Sequence, residues 1–129
     1  MAQLAPSLTD IEALAKVALA AIPRRFKRHL GPVVIRVEEF PDAETERAMD
    51  LDSPFDLLGL YRGVALPHKS VGDPQAGIDM VFLYRRPILD YWCDSGEDLG
   101  DIVRHVLIHE IGHHFGFSDA DMERLENSG

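Results

Sequence analysis

The chain has 129 residues, of which 46% are hydrophobic and 27% are charged. This composition is typical of a globular protein, and we expect a single domain over residues 1–129. The formal net charge of −9 gives no long-range attraction to nucleic acid or to an anionic membrane, so neither is an expected partner. The single cysteine, Cys93, excludes an internal disulfide and a cysteine-based zinc cluster. Its apolar neighbours predict a buried, unreactive thiol.

The first third of the chain is predicted to form a helix and then a strand. Apolar residues recur with helical period over residues 11–22, after a capping-box pattern that begins at Thr9. Pro23 breaks this helix, and the basic residues 24–28 are expected to be a solvated surface rather than a binding patch. The β-branched run 33–38 predicts the first strand.

The N-terminus carries no sign of export. The first ten residues lack the basic segment of a signal peptide, and the apolar stretch 13–22 contains Lys16 and is too short to span a bilayer. These features predict a cytoplasmic protein.

The remainder of the chain is predicted to contain two more strands and several helices. The predicted elements are a short helix over 42–50, strands over 57–64 and 78–84 separated by a loop at 67–77, a short helix over 87–92, a long helix from about 97 to 114 or 115, and a short helix over 119–125. Gly116 suits the left-handed position that ends the long helix. This order predicts an α+β fold in which a small β-sheet packs against an N-terminal helix and a C-terminal helix.

The stretch His109-Glu110-Ile111-Gly112-His113 is a His-Glu-x-x-His motif within the long predicted helix. Residues four apart lie on one helix face, so the imidazoles of His109 and His113 can converge on one zinc ion. Glu110 lies one step around the helix, where it would act as general base towards a water activated by the metal. Gly112 costs about 1 kcal/mol relative to alanine inside a helix. Either it lets another backbone or a substrate approach closely or it is simply tolerated, and the sequence leaves both open.

A zinc site with two histidines needs a third protein ligand. After His113 the sequence reaches Gly116 and then Asp119, which completes the pattern His-Glu-x-x-His-x-x-Gly-x-x-Asp. A turn at Gly116 would bring Asp119 back to the metal as that ligand. Asp119 can also interact with the dipole of the last helix, and the two roles are compatible. Asp121 is the rival ligand, although a capping role suits it better.

Three stretches of the chain together carry a resemblance to a known family. They are Leu57-Leu58-Gly59-Leu60-Tyr61, Leu83-Tyr84-Arg85-Arg86-Pro87 and His109-Glu110-Ile111-Gly112-His113-His114-Phe115-Gly116. With them, the chain resembles a zincin-like bacterial family of small metallopeptidases over nearly its whole length. The resemblance implies a minimal zincin fold, a Zn²⁺ cofactor held by His109, His113 and Asp119, and a catalytic Glu110.

The motif also resembles that of the metzincins, with two departures. Asp119 stands where metzincins have a third histidine. Met122 lies too close to Asp119 in the sequence to be assigned as the methionine turn that metzincins have well downstream.

Other side chains are candidates for roles near the motif. His105, one helical turn before it, is expected to be a hydrogen-bonded packing histidine, with support of a metal ligand as the alternative. His114 is expected to lie outside the set of metal ligands. Tyr61, Tyr84 and His68 are candidates for stabilising an oxyanion, although a structural role is expected for each.

Together these features predict a zinc-dependent metallohydrolase that cuts peptide bonds in a peptide or protein substrate. If the third strand, 78–84, lies at a sheet edge, an extended peptide could pair with it. One alternative is a non-catalytic, zinc-stabilised interaction or regulatory module. Another is a metal-dependent nuclease, which the acidic residues around the motif disfavour.

Overall fold

A computed structural model describes residues 4–28, 30, 32–65 and 77–127. The elements within these ranges are helices α1 (Leu8–Ala20), α2 (Arg24–Lys27), α3 (Ala43–Ala48), α4 (Arg85–Ser95), α5 (Leu99–Phe115) and α6 (Asp119–Asn127), strands β1 (Val33–Glu38), β2 (Gly59–Ala65) and β3 (Gly77–Tyr84), and a 3₁₀ turn at Pro54–Asp56. The predicted α+β class is confirmed. The loop predicted at 67–77 falls almost entirely outside the described residues.

Local hydrogen bonds determine where α1 begins. The Ser7 hydroxyl oxygen accepts a hydrogen bond from the backbone N–H of Asp10 at 3.0 Å, and Asp10 Oδ2 accepts one from the backbone N–H of Ser7 at 2.8 Å. This capping box begins two residues before the predicted start at Thr9, which was therefore wrong. Two capping-box patterns overlap in this stretch, and the helix begins at the earlier one. As predicted, α1 ends before Pro23.

The three strands form one sheet with the order β1-β3-β2. Strand β3 is parallel to β1 and antiparallel to β2, with Val81 opposite Ile35 on one side and Tyr61 on the other. The hypothesis that a peptide pairs with strand 78–84 is therefore wrong, because both edges of that strand are occupied. Chain order misled this prediction, since β3 inserts between β1 and β2, and β2 forms an edge of the sheet among the described strands.

Helix α5 lies in the core, where it packs against α1, β2 and β3, and α1 packs in turn against β1. Val81 and Leu83 of β3 are fully buried on the face towards the helices, whereas Met80 and Phe82 on the opposite face are half-buried. On α5, Val103 and Leu107 are fully buried as well. The buried stripe of α5 fixes its rotation, and this rotation determines which residues of the His-Glu-x-x-His motif face outwards.

Arg85 connects the N-terminal segment to the end of β1 through two hydrogen bonds. Its Nε donates a hydrogen bond to the carbonyl oxygen of Pro6 at 2.6 Å, and its Nη1 lies 2.9 Å from Glu39 Oε1.

Helix α4 starts at Arg85, two residues before the predicted start at Pro87. Proline is compatible with the first turn of a helix because the backbone N–H groups there have no intrahelical acceptor.

The predicted burial of Cys93 is wrong, because its side chain is exposed. Helix α4 buries Pro87 and Ile88 against the core, and Cys93 lies on a different face of the same helix. Apolar neighbours in sequence did not reveal which face of this amphipathic helix is covered. Within the described ranges, no helix is both long and apolar enough to cross a membrane.

Candidate metal centre

Helix α5 presents three histidines on successive turns. The ring centroids of His105 and His109 lie 4.0 Å apart, and those of His109 and His113 lie 5.9 Å apart with the ring planes almost perpendicular. His109 is half-buried, whereas His105 and His113 are exposed. The helical spacing of four therefore brings the three imidazoles into one row along the edge of the buried stripe.

Glu110 is held by the edge strand of the sheet. Its Oε1 accepts a hydrogen bond from the backbone N–H of Tyr61 in β2 at 3.2 Å. Burial raises the pKa of Glu110 above its usual range, an effect that the Tyr61 N–H and the nearby His113 oppose in part. A carboxylate with a raised pKa is a stronger base, which favours proton abstraction near neutral pH. The sequence predicted Glu110 as the base but did not predict its partner on β2.

Gly112 permits close packing between α5 and α6. A Cβ atom at this position would lie 2.4 Å from Met122 Sδ and 2.8 Å from Met122 Cγ. Met122 is 2% exposed and lies beneath the turn of α5 that carries the histidines. The close neighbour of Gly112 is thus the side chain of Met122, and not the backbone or substrate that the sequence suggested.

We expect Gly112→Ala to destabilise the protein by about 1 kcal/mol, because overpacking outweighs the gain of about 1 kcal/mol in helix propensity. In a Met122→Ala background the same change should become neutral or stabilising. Thermal unfolding of the four proteins of this double-mutant cycle measures the coupling. Equal effects of Gly112→Ala in both backgrounds would show that Met122 is not the reason for the glycine.

Asp119 and Asp121 occupy the first turn of α6, which follows the left-handed Gly116 (φ +70°). The side chain of Asp119 lies outside the described part of the structure, so its role as third ligand stays a prediction. Asp121 is engaged locally. The Ser118 hydroxyl oxygen accepts from its backbone N–H at 3.1 Å, and Arg124 pairs with its carboxylate. Hydrogen bonds from Arg124 and Ser118 lower the pKa of Asp121.

Glu126 also contributes a donor atom to this region, although the sequence did not predict it. Glu126 Oε1 on α6 makes a short contact with His105 Nδ1 and lies 3.8 Å from His109 Nε2. The three donor atoms of His105, His109 and Glu126 all lie within 4.8 Å of one another. Glu126 is 21 residues from His105 and on a different helix, so no periodic pattern connects them.

The two tyrosines that are candidates for oxyanion stabilisation have hydroxyl groups that are withdrawn from solvent. The ring of Tyr61 stacks on His114 with centroids 3.9 Å apart. Its hydroxyl is buried without a hydrogen-bond partner among the described residues, and burial with the nearby Asp79 raises its pKa. Tyr84 is 2% exposed, and burial raises its pKa to about 12. His68 lies outside the described residues.

The donor set on α5 and α6 fits a zinc ion. Zinc in proteins is bound mainly by imidazole nitrogen, carboxylate oxygen and thiolate sulfur. Neighbouring turns of α5 supply the imidazoles of His105 and His109, and α6 supplies the carboxylate of Glu126 next to them. These three residues therefore offer a donor set that a divalent cation can use, and Glu110 follows His109 on the same helix.

Comparison with known proteins agrees with this chemistry. No curated protein matches the chain. Residues 30–128 match the model of one family, described as zincin-like metallopeptidase. This match covers most of the chain, and it includes the sheet, the row of histidines and the final helix. The chain therefore belongs to the zincin-like metallopeptidase family.

Proposed function

We propose that this protein is a zinc-dependent peptidase in which Glu110 is the general base. The observation that carries the proposal is the position of Glu110. It lies in the same helical turn as His109 and His113, is held by the Tyr61 N–H at 3.2 Å, and has a pKa raised by burial. A carboxylate beside two potential zinc ligands is the arrangement that metal-assisted hydrolysis of a peptide bond requires.

In this proposal His109, His113 and Asp119 bind the zinc ion. The ion would supply Lewis-acid activation of water and of the substrate carbonyl. Glu110 removes a proton from the attacking water and then delivers it to the nitrogen of the leaving amine. The Tyr61 N–H keeps the Glu110 carboxylate oriented through both proton transfers, because a backbone donor on a strand moves little.

The edge of β2 is the proposed place for an extended substrate. The Tyr61 N–H points away from β3, since it reaches Glu110, and strand alternation then directs the backbone groups of Gly63 to the same edge. A peptide paired with this edge would run past Glu110. Backbone pairing gives affinity for a peptide of almost any sequence, with specificity left to the side-chain contacts.

Metal analysis of the purified protein is the first test. We expect one zinc per chain, and we expect hydrolysis of a mixed fluorogenic peptide library to stop on chelation and to return with zinc. Asp119→Ala should weaken zinc binding by at least about tenfold, because a zinc ligand is removed. The matched control is Asp121→Ala, which removes a capping carboxylate and should retain the zinc.

Two outcomes would contradict the proposal. Zinc bound at one equivalent with no cleavage of any peptide or unfolded protein would favour a zinc-stabilised interaction module, in which metal removal lowers only the stability. Cleavage that persists after complete zinc removal would exclude the metal from the reaction.

A further inference from the structure

The His105–His109–Glu126 group shares His109 with the pair of histidines proposed to serve catalysis, and it extends one helical turn towards the start of α5. Its donor atoms are His105 Nδ1, His109 Nε2 and Glu126 Oε1, all within 4.8 Å of one another. The side chain of Glu126 is 24% exposed and that of His109 is 32% exposed, whereas that of His105 is 59% exposed. The side chains of Glu126 and His109 are thus mostly shielded from solvent, whereas that of His105 is exposed.

The separations suit one bound cation. Two ligand atoms on a tetrahedral zinc ion lie about 3.4 Å apart when each bond is about 2.0–2.1 Å. His109 Nε2 and Glu126 Oε1 are 3.8 Å apart, so a small side-chain shift would place both on the ion. A hydrogen bond explains the contact between His105 and Glu126. Nitrogens of both imidazoles also face this one carboxylate oxygen, which is the arrangement expected of ligands around one cation.

The surroundings add negative charge. A depression of about 410 Å³ has His105 and Glu126 in its wall, together with Glu97, Asp101 and Arg104. The carboxylates outnumber the single arginine, so the local field favours a cation over an anion. The depression also leaves room for the water that would complete the coordination of a three-ligand site.

We infer that His105, His109 and Glu126 form a second zinc position, which competes with the catalytic position for His109. A neutral imidazole has one nitrogen lone pair available for a metal, so His109 can serve only one of the two positions at a time. Zinc bound by His105 and Glu126 therefore keeps His109 away from His113 and leaves Glu110 without its metal. This inference rests on the proposed function only in that His109 is shared.

The test removes the catalytic position and asks whether zinc still binds. We expect His113→Asn to bind one zinc per chain, measured by competition with a chromophoric chelator and by metal analysis of the gel-filtered protein. Adding Glu126→Gln or His105→Asn to that variant should weaken the remaining zinc by at least about tenfold, the effect of losing a coordinating or supporting group. The matched control is Glu123→Gln in the same background, an exposed glutamate of α6, which should leave the affinity unchanged.

Either of two results would overturn the inference. One is no zinc binding by folded His113→Asn, and the other is equal zinc affinity with and without Glu126. Circular dichroism checks the fold, and His113→Gln replaces His113→Asn if the latter unfolds. Failure here is distinguishable from failure of the peptidase proposal, since the latter is judged on the zinc content and turnover of the unmodified protein.

Discussion

Replacing Glu110 by glutamine is expected to leave the zinc content unchanged and to lower kcat by about 10²- to 10⁴-fold, the usual contribution of general acid–base catalysis. The amide cannot take a proton from water, but its oxygen can still accept the hydrogen bond that Tyr61 donates to Glu110. Peptide hydrolysis measured at saturating zinc, together with metal analysis of the same samples, checks both halves of this expectation.

Stability provides an independent check on this variant. Burial raises the pKa of Glu110, which means that the charged carboxylate is disfavoured in the fold, so a neutral amide of the same size should not lower the unfolding temperature. The control is Glu44→Gln, which makes the same charge change at an exposed position of α3 and should keep full activity. Undiminished turnover by Glu110→Gln would exclude Glu110 as the base.

Replacing Gly59 by alanine is expected to destabilise the protein by about 2 kcal/mol, a typical cost of overpacking a filled core. A Cβ atom at Gly59 would lie 2.6 Å from Val106 Cγ1 on α5 and 3.1 Å from the carbonyl oxygen of Phe82 on β3. Neither neighbour can move far, because valine has a stiff side chain and the Phe82 carbonyl belongs to the central strand. Thermal unfolding should show a decrease of about 7 °C in Tm for a chain of this size.

Two further variants separate this close contact from a general intolerance of β2. Gly63→Ala lies on the same strand, where the nearest atom to the new Cβ would be Asp79 Oδ1 at 3.8 Å, so it should change Tm little. Adding Val106→Ala to Gly59→Ala removes one of the two clashes and should recover part of the loss beyond the sum of the single effects. Equal Tm values for Gly59→Ala and Gly63→Ala would show that α5 does not constrain this position.

Most of the fold was predictable because its elements have strong local signals. The helical period of α1, the β-branched run of β1 and the glycine that ends α5 each reflect interactions within a few residues of one another. The strand order was not predictable in the same way. The position of β3 between β1 and β2 depends on how the whole chain packs, and chain order does not encode it.

In the candidate site, too, local features were predictable from the sequence and contacts between distant residues were not. His109, Glu110 and His113 were predicted as site residues because their spacing along one helix is itself the signal. The hydrogen bond from Tyr61 to Glu110 and the contacts of Glu126 with His105 and His109 join residues that are distant in sequence. No periodic pattern in a single sequence reveals such pairs. Met122 was similarly hard to place, because its role is to fill the space that Gly112 leaves open.

The packing of Met122 against Gly112 has a consequence for the C-terminal helix. Helix α6 follows the turn at Gly116 and carries Asp119 and Glu126, the carboxylates that the two proposed metal positions use. The free energy of metal binding measured on the whole protein therefore includes the free energy of docking α6 against α5. By the same linkage, bound metal stabilises the docked position of α6 by that free energy. Amide hydrogen exchange and protease cleavage in α6 would then report metal occupancy, even in a variant that has lost all activity.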